Sequence, residues 1–231
     1  MAETVTFPSN GDQASGYLAR PRSGRGPGVL VIQEWWGLDS TTKGFADRLG
    51  EDGFVALAPD LYHGELAQHH EMDRAAELMK ALPPDRAARD MSAAVDYLAG
   101  LDIVTGRGLG VVGFCMGGML AFLLAARRPD RIAAAVPFYG YPSAENEPDW
   151  APMRAVVRGH MAERDDFFPP AGARALEQKL RALGKDVTLT VHPGTGHAFM
   201  APHNALGTLD AELAAKIWPE VVAFLRATLA E

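Results

Sequence analysis

Short apolar runs rich in β-branched residues alternate along this chain with longer stretches whose apolar residues recur at helical spacing. "TVTF" and "GYLARP", on either side of "PSNGDQAS", predict an N-terminal hairpin. "GVLVIQE" and "FVALAPDLY" predict buried strands. Between them, "STTKGFADRLGEDG" has a polar start, apolar residues at Phe45 and Leu49 and a glycine stop at Gly53, which together mark a helix. A polar, irregular stretch from His63 to Pro84 holds a helical piece near "EMDRAAELMKAL", and "DRAARDMSAAVDYLAGL" predicts a further helix. "GLGVVGF" reads as a strand that runs at once into the helix "MGGMLAFLLAARR". The strands "IAAAVPFYG", "RAVVRGHMAERDD" and "VTLTVHPG" follow, with the helix "PAGARALEQKLRALG" before the last of them. The final helix, "TLDAELAAKIWPEVVAFLRATLA", contains Pro219, which should kink or split it.

Alternation of this kind predicts an α/β fold with a mostly parallel central sheet and helices on both faces. Neither an internal repeat nor a long low-complexity linker interrupts it, and "YPSAENEPDWAP" reads as a loop, so residues 1–231 are expected to form a single domain. The net charge of −7 argues against a nucleic-acid partner, because phosphate binding needs a concentrated basic surface. The N-terminus lacks the basic start and apolar run of a signal peptide, and the apolar stretch "MLAFLLAA" is too short to span a bilayer. A soluble, cytoplasmic monomer without a membrane partner is the expectation. Cys115 is the chain's one cysteine, which leaves it no partner for an internal disulfide.

That cysteine sits in "GFCMGG", where a strand meets a helix. A lone free cysteine is commonly a small buried hydrophobe. Here, however, Gly113 and Gly117 flank it in a G-x-C-x-G pattern, which resembles the nucleophile elbow of α/β-hydrolases with sulfur in place of oxygen. The turn is tight, so its neighbours must be small. The residue at its apex is pushed out at the carboxyl end of the sheet, under the positive end of the following helix. The amide of Met116 is then placed to donate to a developing oxyanion. A base and an orienting acid should follow in chain order. His197, in "PGTGHAF", lies just past a strand and is the preferred base. His192 falls within the strand run and reads as structural, and His203, in "APHN", is a weaker loop candidate. The acid should come from "GHMAERDDFFPP", where Asp165 and Asp166 compete for reach to His197. His63, His69 and His70 lack a convincing metal-ligand spacing, so no metal and no cofactor are expected.

"GFCMGG", "RDDFFP" and "GTGHAF", in this order and together with "IQEWWGL" and "APDLY", resemble dienelactone hydrolase (carboxymethylenebutenolidase) over nearly the whole chain. The resemblance implies an α/β-hydrolase fold and hydrolysis of a small-molecule ester or lactone by a Cys115–His197–Asp165 triad through a thioester acyl-enzyme. Its D-x-F-x-P pattern selects Asp165 over Asp166. It also implies a role for Glu34 beside the resting thiol and for the Trp35 amide as second oxyanion donor. Arg74, Trp36 and Tyr139 are implied substrate contacts. Ala201 departs from the family, which has an arginine there that helps hold the substrate's carboxylate. Two other readings fit the residues. One is a broad carboxylesterase or thioesterase with the same triad, and the other is a non-catalytic, ligand-binding or redox-sensing member of the fold. An acid and a histidine in the right order favour an enzyme, since a sensor needs neither.

Overall fold

A computed structural model of the chain describes residues 2–9 and 11–230. The N-terminal hairpin is β1 (Ala2–Ser9) and β2 (Asp12–Ala19), with a much shorter connection than expected because both strands extend into the polar stretch. Then come β3 (Gly26–Ile32), α1 (Ser40–Glu51), β4 (Val55–Pro59), α2 (Met72–Ala81), α3 (Pro84–Ala99), β5 (Val104–Phe114) and α4 (Met116–Arg127). The chain continues through β6 (Ile132–Phe138), β7 (Val156–Arg164), α5 (Pro170–Ala182), β8 (Val187–Gly196) and α6 (Ala211–Leu229).

The strands form one 8-stranded sheet in the order β1-β2-β4-β3-β5-β6-β7-β8. The hairpin pairs antiparallel with β4, and every pairing from β4 across to β8 is parallel. The central strands are apolar on both sides, as a parallel sheet with two covered faces requires. Leu30 and Ile32 of β3 pack with α2 to α5 on one face, while Val29 and Val31 pack with α1 and α6 on the other. This arrangement is the α/β-hydrolase fold.

From β3 the chain steps to β4 on one side, then crosses back to place β5 on the other side of β3. Strand order reverses there, and open α/β sheets leave a crevice at the carboxyl ends of such strands. Residues just past β3 and β5 therefore meet in one place: Glu34, Trp35 and Trp36 from the first, Cys115 and Met116 from the second.

Pro219 lies inside an unbroken α6 and does not split it. The carbonyl deprived of its donor belongs to Ala215, an exposed residue that water reaches, while Ile217, Trp218, Val221 and Val222 anchor the buried face. Among the described residues no helix is long and apolar enough to cross a membrane.

Candidate active site

Cys115 takes φ 54 and ψ −118 between β5 and α4, a conformation that costs a side chain about 1–3 kcal/mol. Backbone contacts on all sides hold it there. Its amide donates to the Phe138 carbonyl at 3.1 Å, and its own carbonyl accepts from the amides of Gly118 and Met119. A Cβ on Gly113 would sit 2.0 Å from the Gly117 carbonyl oxygen, and one on Gly117 would sit 2.3 Å from that of Ile32 and 2.5 Å from that of Gln33. The glycines thus let the elbow close against the end of β3 with no side chain between.

Burial, and after it the charge of Glu34, push the Cys115 thiol well above its ordinary pKa, while a hydrogen bond from the Met116 amide pulls the other way. Burial and the Glu34 charge thus both favour the neutral thiol over the thiolate.

His197 follows β8 directly. Its Nδ1 donates to Oδ2 of Asp165 at 2.8 Å, and the Asp165 carboxylate is itself buried. The other carboxylate oxygen accepts from the amides of Phe167 and Phe168, each at 2.9 Å, so the acid is fixed by its own turn. Nε2 of His197 is left for the cavity. Among the described residues no hydrogen bond joins it to the Cys115 sulfur, although both residues line the same cavity. Asp166, one residue on, is exposed. Gly194 and Gly196 belong to the end of β8. His192 pairs with His160 at 3.0 Å, and burial, reinforced by His192, pushes His160 down to about 3.

The cavity has a volume of ≈ 290 Å³. Cys115, Met116, Glu34, His197 and His203 are its polar and reactive part. Trp35, Trp36, Phe167 and Phe168 form aromatic walls, and Met79, Met119 and Leu206 complete it towards solvent.

Two expected substrate contacts lie elsewhere. Arg74 does not reach the cavity. It sits on the solvent side of α2, paired with Glu65 and with Glu77 at 3.5 Å, because acidic neighbours hold the guanidinium outside. Tyr139 lies behind the lining, not in it. The chain turns at φ 35 after β6 and sends the ring into the aromatic cluster of Phe114, Phe138 and Phe199, edge-on to His197. Burial, and then the nearby Glu34 charge, push the phenol well above its ordinary pKa.

His203, a weaker candidate on sequence, proves to be part of the site. Its Nε2 bonds Oε2 of Glu34 at 2.9 Å, across 169 residues of chain. Its ring stacks on His69 at 4.2 Å and meets Trp36 edge-on, and His69 in turn holds Asp39 at 2.7 Å. The hydroxyl of Tyr139 lies against the Glu34 carboxylate, and neither it nor Oε1 of Glu34 bonds any other group. No local pattern signals this contact. A glutamate after a core strand and a histidine in an irregular loop are each unremarkable by themselves.

Both the sequence and the fold have known counterparts. The family model described as "Dienelactone hydrolase family" matches residues 14–229. The chain belongs to the dienelactone hydrolase family. It is 37% identical to "Protein usf" of Aquifex pyrophilus over 206 residues, covering 87% of each chain. It is 33% identical to a protein of Aquifex aeolicus named "Putative carboxymethylenebutenolidase", covering 99% of this chain and 100% of the relative. The solved structure described as "Putative Dienelactone Hydrolase" from Klebsiella pneumoniae superposes with a TM-score of 0.85 at 29% identity, covering 97% of this chain and 98% of that one. Membership of this family makes the chain a hydrolase.

Proposed function

We propose that the protein hydrolyses small carboxylic esters or lactones through a cysteine nucleophile, with Cys115, His197 and Asp165 as its triad. The observation that carries this reading is the Asp165-oriented His197, whose free nitrogen opens onto the cavity that also holds the elbow cysteine. The thiol yields its proton to Nε2 of His197, and the thiolate attacks the carbonyl carbon. The amides of Met116 and Trp35, at the ends of the elbow and of β3, receive the oxyanion. Collapse expels the alcohol, which takes the proton back from His197, and leaves a thioester on Cys115. His197 then draws a proton from water as it attacks the thioester, and the carboxylic acid departs with the thiol restored. Asp165 stays ionised and keeps the imidazole turned. Acid quenching during turnover of 4-nitrophenyl acetate should leave one acetyl group on Cys115, located by peptide mass spectrometry. Steady turnover with acetyl elsewhere, or nowhere, would sink the thioester route.

A redox sensor needs no imidazole held by a buried carboxylate, so the Asp165–His197 pair favours catalysis over sensing. The Glu34 charge, which helps raise the thiol pKa, also predicts a direction. Removing a negative neighbour stabilises the thiolate, so Glu34→Gln should lower the Cys115 pKa. Alkylation by iodoacetamide at pH 7 should then run faster in the variant, and its pH profile should shift to lower pH. An unchanged or slower rate would show that Glu34 does not act on the thiol.

A further inference from the structure

We propose that this site takes esters whose acyl group is uncharged and apolar, and that His203 is the residue that sets this selection. The inference rests on the ester-hydrolase reading above and narrows its substrate class. Among the described residues no lysine or arginine lines the cavity, and besides the thiol its titratable side chains are Glu34, His197 and His203.

The hydrogen bonds of His203 define its form. The amide of Ala205 donates to its Nδ1 at 3.0 Å, so that nitrogen carries no proton. The ring's one proton is on Nε2 and is used on Oε2 of Glu34. With Nδ1 accepting and Nε2 donating, the ring carries one proton and no net charge in this arrangement. The His203 and Glu34 side chains are 3% and 5% exposed. Stacking on His69, itself tied to Asp39, stops the ring from turning away.

The cavity therefore presents a carboxylate neither of whose neighbours, the His203 imidazole and the Tyr139 phenol, brings a positive charge. A substrate carboxylate brought here would lose its water, meet no cation and be repelled by Glu34. An apolar acyl group meets Trp35, Phe168 and Met119 instead. The apolar surface continues outward, since Phe167, Met79 and Leu206 are large apolar residues left exposed at the cavity.

An arginine in place of His203 would invert this. A guanidinium has enough donors to hold Glu34 and still offer N–H groups and a charge to an acyl carboxylate.

The test compares 4-nitrophenyl benzoate with 4-nitrophenyl 4-carboxybenzoate, which share a leaving group and a rigid acyl frame and differ in one charge. Wild-type kcat/KM should favour the neutral ester by about a hundredfold or more, as expected for burying an unpaired carboxylate. His203→Arg should shrink that preference by about tenfold or more, through a gain on the charged ester. His203→Gln, which keeps a neutral donor, should retain it. Equal wild-type rates on the two esters, both abolished in Cys115→Ala, would overturn the inference and leave the hydrolase reading intact, and this comparison needs no His203 variant to fold. A His203→Arg protein with wild-type melting behaviour and an unchanged preference would overturn the assignment to His203. Turnover of both esters that survives in Cys115→Ala would overturn the underlying reading, and the inference with it.

Discussion

Turnover of 4-nitrophenyl acetate is expected to fall about 10⁴-fold or more in kcat/KM when Cys115 is replaced by alanine. The cavity offers no hydroxyl to replace the thiol, for among the described residues no serine or threonine lines it. His197 would still be held by Asp165, and the oxyanion amides would still face the substrate, so the residual rate reports binding and oxyanion stabilisation alone. The substitution removes one sulfur from a side chain that already borders the cavity, and the backbone contacts of the elbow do not depend on it. The melting temperature should therefore stay near that of the wild type. Near-wild-type turnover in a folded Cys115→Ala protein would remove sulfur from the mechanism.

The second large effect is expected at Asp165. In Asp165→Asn, the amides of Phe167 and Phe168 demand an acceptor, so the side-chain carbonyl must stay where Oδ1 now is. That orientation turns the NH₂ group towards Nδ1 of His197. The imidazole must then accept at Nδ1 and carry its proton on Nε2, where it can no longer take one from the thiol. A fall in kcat of about 10²–10⁴-fold follows, with the backbone turn preserved. Asp166→Asn changes an exposed side chain and should stay within about twofold of wild type. The two variants assayed side by side decide the acid, and a crippled Asp166→Asn enzyme would reverse the assignment.

The readable parts of this protein were those with a local cause. Strand–helix alternation predicts the layers, because period and run length are properties of neighbouring residues. The elbow is legible because a G-x-C-x-G turn between strand and helix admits few backbones. The acid is different. Asp165 and Asp166 carry the same chemistry one residue apart, and only the turn that hands two amides to Asp165 separates them. Arg74 and Tyr139 illustrate another gap. Both have suitable side chains at plausible places, but acidic neighbours hold one outside and a left-handed backbone step sends the other into the core. The Glu34–His203 bond was out of reach for a third reason, since it depends on how the strap from β8 to α6 folds back over the end of β3.

The close approach of Gly117 to the carbonyls of Ile32 and Gln33 has a consequence for how such a site diversifies. The Cys115 turn and the end of β3 are registered main chain to main chain, with no interchangeable side chain in the joint. The cavity walls, in contrast, are made of side chains carried on separate segments: Trp35 and Trp36 after β3, Met79 on α2, Phe167 and Phe168 before α5, and His203 and Leu206 before α6. Wall residues can drift or be engineered one at a time without disturbing the reacting geometry. The same frame can therefore pass from one acyl group to another while its chemistry is inherited unchanged.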